Sequence, residues 1–183
     1  MRRLGDTDIL IWTVGHSTRS FEEFFDLLAA HRIERLVDVR RFPASQRVPW
    51  ATKATLAAAL GNRGVAYDHF PDLGGFRKPA SESRNTGWRN AGFRGYADYM
   101  ASPEFGAGVD RLVVLAGQDR ITIMCAEAVP WKCHRSLLSD ALVVHGVRVE
   151  HILTAGKSEE HSLPKFAKVE GRRVTYPGRH KGV

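Results

Sequence analysis

Short apolar, β-branched runs alternate with amphipathic segments along this 183-residue chain, and that alternation leaves few folds open to it. Residues 9–14, 35–40, 65–70, 121–125 and 147–153 read as strands. Ser20 and Glu23 have the spacing of a capping box, and Phe21, Phe24, Phe25 and Leu28 share one face of the helix that follows. Residues 52–60 form an Ala-rich helix closed at Gly61 or Gly64, and helical spacing resumes over 93–100. Ser102 and Pro103 open another helix, with Phe105, Val109, Leu112 and Val113 as its stripe. Residues 134–145 form the last helix, ended by Gly146. Strands joined by helices require right-handed crossovers. The expectation is a three-layer α/β domain over residues 1–153, a mostly parallel sheet of about five strands flanked by helices.

A chain of this length buries about 70% of its unfolded surface and needs no disulfide or metal to hold a core. No apolar run approaches the roughly 20 residues of a membrane helix, and the opening residues are too polar for a secretory signal. A soluble cytoplasmic protein without a membrane partner is expected. The net charge is +7. Residues 154–183 hold seven cations (Lys157, Lys165, Lys168, Arg172, Arg173, Arg179 and Lys181) against Glu159, Glu160 and Glu170. More than half of the excess therefore sits in what reads as a basic C-terminal tail, partly ordered at best. The rest suits an anionic small molecule or nucleic acid as partner.

In open parallel sheets ligands bind beyond the carboxyl ends of the strands. Those positions here hold His16, Ser17, Thr18 and Arg19 after the first strand, and Asp38, Arg40 and Arg47 at or beyond the second. His69 and Gly74-Gly75 follow the third, and Cys125, Glu127, Cys133, His134 and Arg135 the fourth. The polar segment 71–92, with Arg77, Trp88 and Arg89, breaks the rhythm; loops of that length usually carry function or disorder.

Taken together, Gly15-His16-Ser17-Thr18-Arg19, Asp38-Val39-Arg40, Gly87-Trp88-Arg89-Asn90, Phe93-Arg94-Gly95-Tyr96 and Cys125-Ala126-Glu127…Cys133-His134-Arg135 resemble the domain-of-unknown-function family 488. The resemblance runs over residues 9–153. It implies an intracellular prokaryotic α/β protein and groups these residues without naming a reaction.

Three functions compete. In the first, an enzyme acts on a phosphorylated or nucleic-acid substrate in an anion-binding cleft. Arg40, Arg47 and Arg135 bind the anion, with Arg19 and His134 beside them; Glu127 and His16 move protons, and Cys125 or Cys133 is a nucleophile or pocket wall. A thiol near a helix N-terminus has a lowered pKa, and Arg135 there asks for an anionic partner, either Glu127 or a ligand. In the second, a non-catalytic module binds nucleic acid through the tail and through Arg77, Trp88, Arg89, Arg94 and Tyr96, whose aromatics stack bases or else tuck the loop (a lid, on another reading) onto the core. The third is a thiol or metal redox sensor.

Plainer roles stay open: Cys125 and Cys133 as packing residues, and Asp38–Arg40 as an internal ion pair. Cys125-Ala126-Glu127 copies half of the zinc-deaminase signature, but the chain has no third cysteine. No arginine stands six residues after either cysteine, as a cysteine phosphatase loop requires. Adjacent ligands Cys133 and His134 would strain a tetrahedral metal site. No metal and no cofactor is assigned.

Overall fold

The computed structural model describes residues 8–178. Five parallel strands, β1 (Leu10–Gly15), β2 (Arg35–Asp38), β3 (Ala66–His69), β4 (Ile121–Cys125) and β5 (Arg148–Thr154), form one sheet with an antiparallel sixth, β6 (Lys157–Glu160). The order is β3-β2-β4-β1-β5-β6. Helices α1 (Phe21–Ala30) and α2 (Lys53–Gly61) cover one face, packing Phe24, Leu28, Leu56 and Leu60 onto Val14, Leu36 and Met124. Helices α3 (Ala91–Tyr99), α4 (Pro103–Ala116) and α5 (Arg135–Val144) cover the other, over Ile11, Val37, Ile123 and Val149. The expected three-layer α/β fold is what forms, with one strand more than the five expected.

The local signals act as read. Ser20 accepts from the Glu23 amide while the Glu23 carboxylate accepts from the Ser20 amide, completing the capping box of α1. Ser102 caps α4 ahead of Pro103, and the Ser102 hydroxyl accepts from the Phe105 amide. Among the described residues no helix is long and apolar enough to cross a membrane.

The region expected as a loosely ordered tail is built into the domain as far as residue 178. Beyond β6, strands β7 (Lys168–Glu170) and β8 (Arg173–Thr175) pair as a hairpin, and Val174 and Tyr176 join the core beneath α5. The apolar anchor of this segment is Tyr176, fully buried, and not the cations around it. Arg179 and Lys181 lie outside the described residues.

The 71–92 segment is fastened on both sides. The Asp98 carboxylate accepts from the Ala80 amide, the Ser83 hydroxyl and the Asn85 side chain. Asn85 in turn accepts from the Tyr176 amide, and the Gly87 amide donates to the Tyr176 carbonyl. These bonds hold the segment as a packed strap, not a hinged lid.

Candidate thiol site at the strand carboxyl ends

β1 and β4 continue their pairing past the sheet: the His16 amide donates to the Cys125 carbonyl and the Ser17 amide to that of Ala126. Gly15 permits this approach, since a Cβ there would stand 1.8 Å from the Glu127 carbonyl oxygen. β2 lies on the other side of β4, with Asp38 opposite Met124. All the strand-end residues therefore meet along one edge. The alternation of side chains then divides them between the two faces.

On the α1/α2 side, Asp38 and Arg40 form the internal ion pair. Arg40 Nε and Nη2 donate to the two Asp38 oxygens at 2.9 and 2.6 Å, and Nη2 also donates to the Ala51 carbonyl at 2.7 Å. Tyr67 donates its hydroxyl to the same carboxylate, and burial together with that negative charge pushes the phenol well above its ordinary range. His16 Nδ1 donates to the Ser17 carbonyl, which leaves the Nε2 lone pair facing Arg40 Nη1 at 3.4 Å. Burial and the Arg40 charge lower its pKa, so the imidazole is neutral. Arg40 is 7% exposed with four of its five N–H donors engaged within the protein, which leaves little of its guanidinium for the ligand expected there. The His16 lone pair is likewise directed at Arg40 and not into a cleft.

On the α3–α5 side the two cysteines meet. The Cys133 thiol donates to Cys125 Sγ at 2.8 Å, and Arg135 Nη1 donates to the same sulfur at 3.1 Å. Arg135 Nη2 reaches the Ala128 carbonyl at 3.3 Å, while its Nε, also buried, has no partner. Of the two anionic partners expected for Arg135, Glu127 or a ligand, the Glu127 carboxylate does not reach it; its guanidinium meets the Cys125 sulfur. Burial acts to raise the Cys125 pKa, but the bond from Cys133 and the Arg135 charge outweigh it and hold the thiol below its ordinary value. Cys133 moves the opposite way, because its hydrogen bond to Cys125 and its burial favour the protonated form. The shared hydrogen bond and the Arg135 charge thus favour ionisation of Cys125 over Cys133.

His134, the N-cap of α5, completes the cluster. Its Nε2 donates to the Val39 carbonyl at 3.3 Å, leaving Nδ1 3.5 Å from Cys133 Sγ as an acceptor. Burial and the neighbouring charges of Arg135 and Arg77 lower its pKa to about 4. Gly75 lies flat on this ring; a Cβ would stand 3.0 Å from Nδ1.

The remaining expected residues fall elsewhere. Arg19 donates to the Gly15 carbonyl from a half-buried position, and Arg47 and Glu127 are exposed at the rim. Arg77 bonds the Gly74 carbonyl and lies 3.7 Å over the Tyr99 ring. Tyr96 is 1% exposed and donates to the Leu73 carbonyl, so its ring is closed to a base. Trp88 packs among Phe93, Phe166 and Tyr176, and Arg94 donates to its carbonyl. Arg89 is exposed. These loop aromatics serve the core. A cleft of about 690 Å³ opens between the 80–85 segment and the β7–β8 hairpin, away from both clusters.

Among the described residues no group of three His, Cys, Asp or Glu side chains is placed to hold a metal ion.

A second buried network escapes sequence inspection. Thr13 donates to His151 Nδ1 at 2.6 Å, His151 Nε2 to His161 Nδ1 at 2.8 Å, and His161 Nε2 to Asp140 at 2.6 Å. Tyr176 donates to the other Asp140 oxygen. The five groups come from β1, β5, the end of β6, α5 and the C-terminal segment, so spacing along the chain gives no sign of them.

The family model for a domain of unknown function, DUF488, matches residues 20–142. The chain belongs to the DUF488 family. The match takes in β2 through β4 and nearly all of α5, hence both cysteines, His134 and Arg135. No curated protein and no solved structure matches the chain.

Proposed function

We propose that this DUF488 protein is a thiol-dependent enzyme whose nucleophile is the Cys125 thiolate. The observation that carries this is Arg135, a guanidinium 1% exposed, with a cysteine sulfur where a buried arginine ordinarily has a carboxylate. Cys125 Sγ gives an electron pair to an electrophilic atom of the substrate. The leaving group takes the Cys133 proton, and Arg135 stabilises the negative charge that then rests on Cys133, through its amide as well as its guanidinium. His134 Nδ1 accepts from or returns a proton to Cys133. Arg19, Arg47 and Lys132 at the rim favour a substrate bearing negative charge.

Alkylation of the native protein by iodoacetamide at neutral pH, mapped by mass spectrometry, tests the assignment. Cys125 is 1% exposed, so slow modification centred on it, and suppressed in an Arg135→Met variant, is expected. Labelling of Cys133 alone, or of neither thiol before unfolding, contradicts it.

A further inference from the structure

The most exposed aromatic side chains stand on the loops that follow β2, β3 and β4. Phe76 is 81% exposed, Phe42 65% and Trp131 62%. Isolated exposed apolar residues need no explanation, but these three frame the thiol site. Gly75, next to Phe76, lies on the His134 ring; Trp131 is two residues from Cys133; and the Phe42 and Phe76 rings are 6.0 Å apart.

Phe76 is also held in position. Its φ of +60° is a left-handed conformation that bulky residues rarely adopt. Arg41 Nη1 donates to its carbonyl at 3.0 Å, and Arg77 Nε donates to the Gly74 carbonyl. The fold thus fixes a strained backbone to present a ring to solvent, as happens at ligand-binding positions.

Cations without an ion pair lie beside these rings, as they also do at Arg84, Arg89 and Arg172 elsewhere among the described residues. Arg35, Arg63, Arg111 and Lys157 pair with carboxylates. Arg41, Arg47 and Lys132, interleaved with the exposed aromatics, form no ion pair among the described residues. Arg41 lies 5.5 Å from the Phe42 ring centroid.

Exposed rings beside cations match a ligand with exposed π-faces on an anionic backbone. A duplex hides its base faces, so rings standing clear of the surface would contribute little there. We propose that this rim binds single-stranded nucleic acid, with Phe76, Phe42 and Trp131 stacking on bases and Arg41, Arg47 and Lys132 contacting phosphates. The surface differs from the one expected around Trp88 and Tyr96, whose rings are packed inside. It is independent of the thiol chemistry: a Cys125→Ser variant should bind as the parent does.

Fluorescence anisotropy with labelled mixed-sequence oligonucleotides, single-stranded and duplex, tests the proposal at two salt concentrations. Single strands should bind more tightly than duplex. Phe76→Ala should weaken that binding about 10-fold with little change in salt dependence, and Phe76→Tyr should restore it. Arg47→Ala should lower the salt slope by about 0.7, the loss of one phosphate contact. Both positions are exposed, and circular dichroism confirms folding of each variant. Absence of binding at low salt, equal affinity for duplex, or indifference to Phe76→Ala overturns the proposal, as does a rim that captures only another protein.

Discussion

Two buried polar clusters lie on the same side of the sheet, and they are finished differently. In the chain from Thr13 through His151, His161 and Asp140 to Tyr176, each donor meets an acceptor and every link is satisfied. In the cluster of Cys125, Cys133, His134 and Arg135, a guanidinium bonds a sulfur and its Nε goes unmet. A fully paired network stabilises and fixes one arrangement. An incompletely paired one holds a group in an unusual ionisation state, which is what reactivity needs. The first ties the C-terminal segment to the domain; the second lowers the Cys125 pKa.

Breaking the closed cluster should have the largest effect on stability. Asp140→Ala leaves the His161 and Tyr176 donors without an acceptor in the core and should cost about 1–3 kcal/mol for each, read from urea unfolding. Arg135→Met should separate the two roles. Without the guanidinium Cys125 takes up a proton, so no buried charge is stranded and the cost should be smaller than for Asp140→Ala. Yet the Cys125 pKa should rise by at least about one unit, lowering its alkylation rate at pH 7 by about 5-fold or more. Comparable loss of stability in both variants would erase the distinction.

The buried imidazoles give the molecule an acid limit. His151, whose burial and whose His161 and Arg135 neighbours lower its pKa to about 3, binds a proton far more readily once unfolded. His134, at about 4, and His16, also lowered, act in the same sense. Between the unfolded histidine value of about 6.5 and these folded values the unfolded state holds more protons. Stability should therefore fall as pH drops from about 6.5 toward 4, and His151→Gln should flatten the fall. A melting temperature constant across that window would contradict the assignment of neutral imidazoles. The smallest effect concerns the rim: Phe76→Gly relieves a left-handed backbone and should change stability by no more than about 1 kcal/mol, in the favourable direction.

The fold was legible because hydrophobic periodicity is local. Residues 121–125 are wholly apolar or β-branched and buried, as a central parallel strand requires. β6 escaped because Lys157-Ser158-Glu159-Glu160 has no apolar face; it is a charged edge strand. The site was half legible. Strand ends located its residues, but only the register of Asp38 with Met124 shows that Asp38 and Cys125 point to opposite faces. That parity sends Arg40 to Asp38 and leaves Arg135 for the thiols. Tyr176 was hidden by its basic surroundings, which resembled a tail until its hydroxyl found Asp140.

The central claim is that Cys125 is ionised beside Arg135 at physiological pH. Thiolate ultraviolet absorbance, titrated in the parent protein with a Cys125→Ser variant subtracted, reads this without requiring access to the buried sulfur. A single thiolate appearing with a midpoint near 7 is the predicted result. A difference signal that rises only at or above the ordinary cysteine value of about 8.5 would contradict the account.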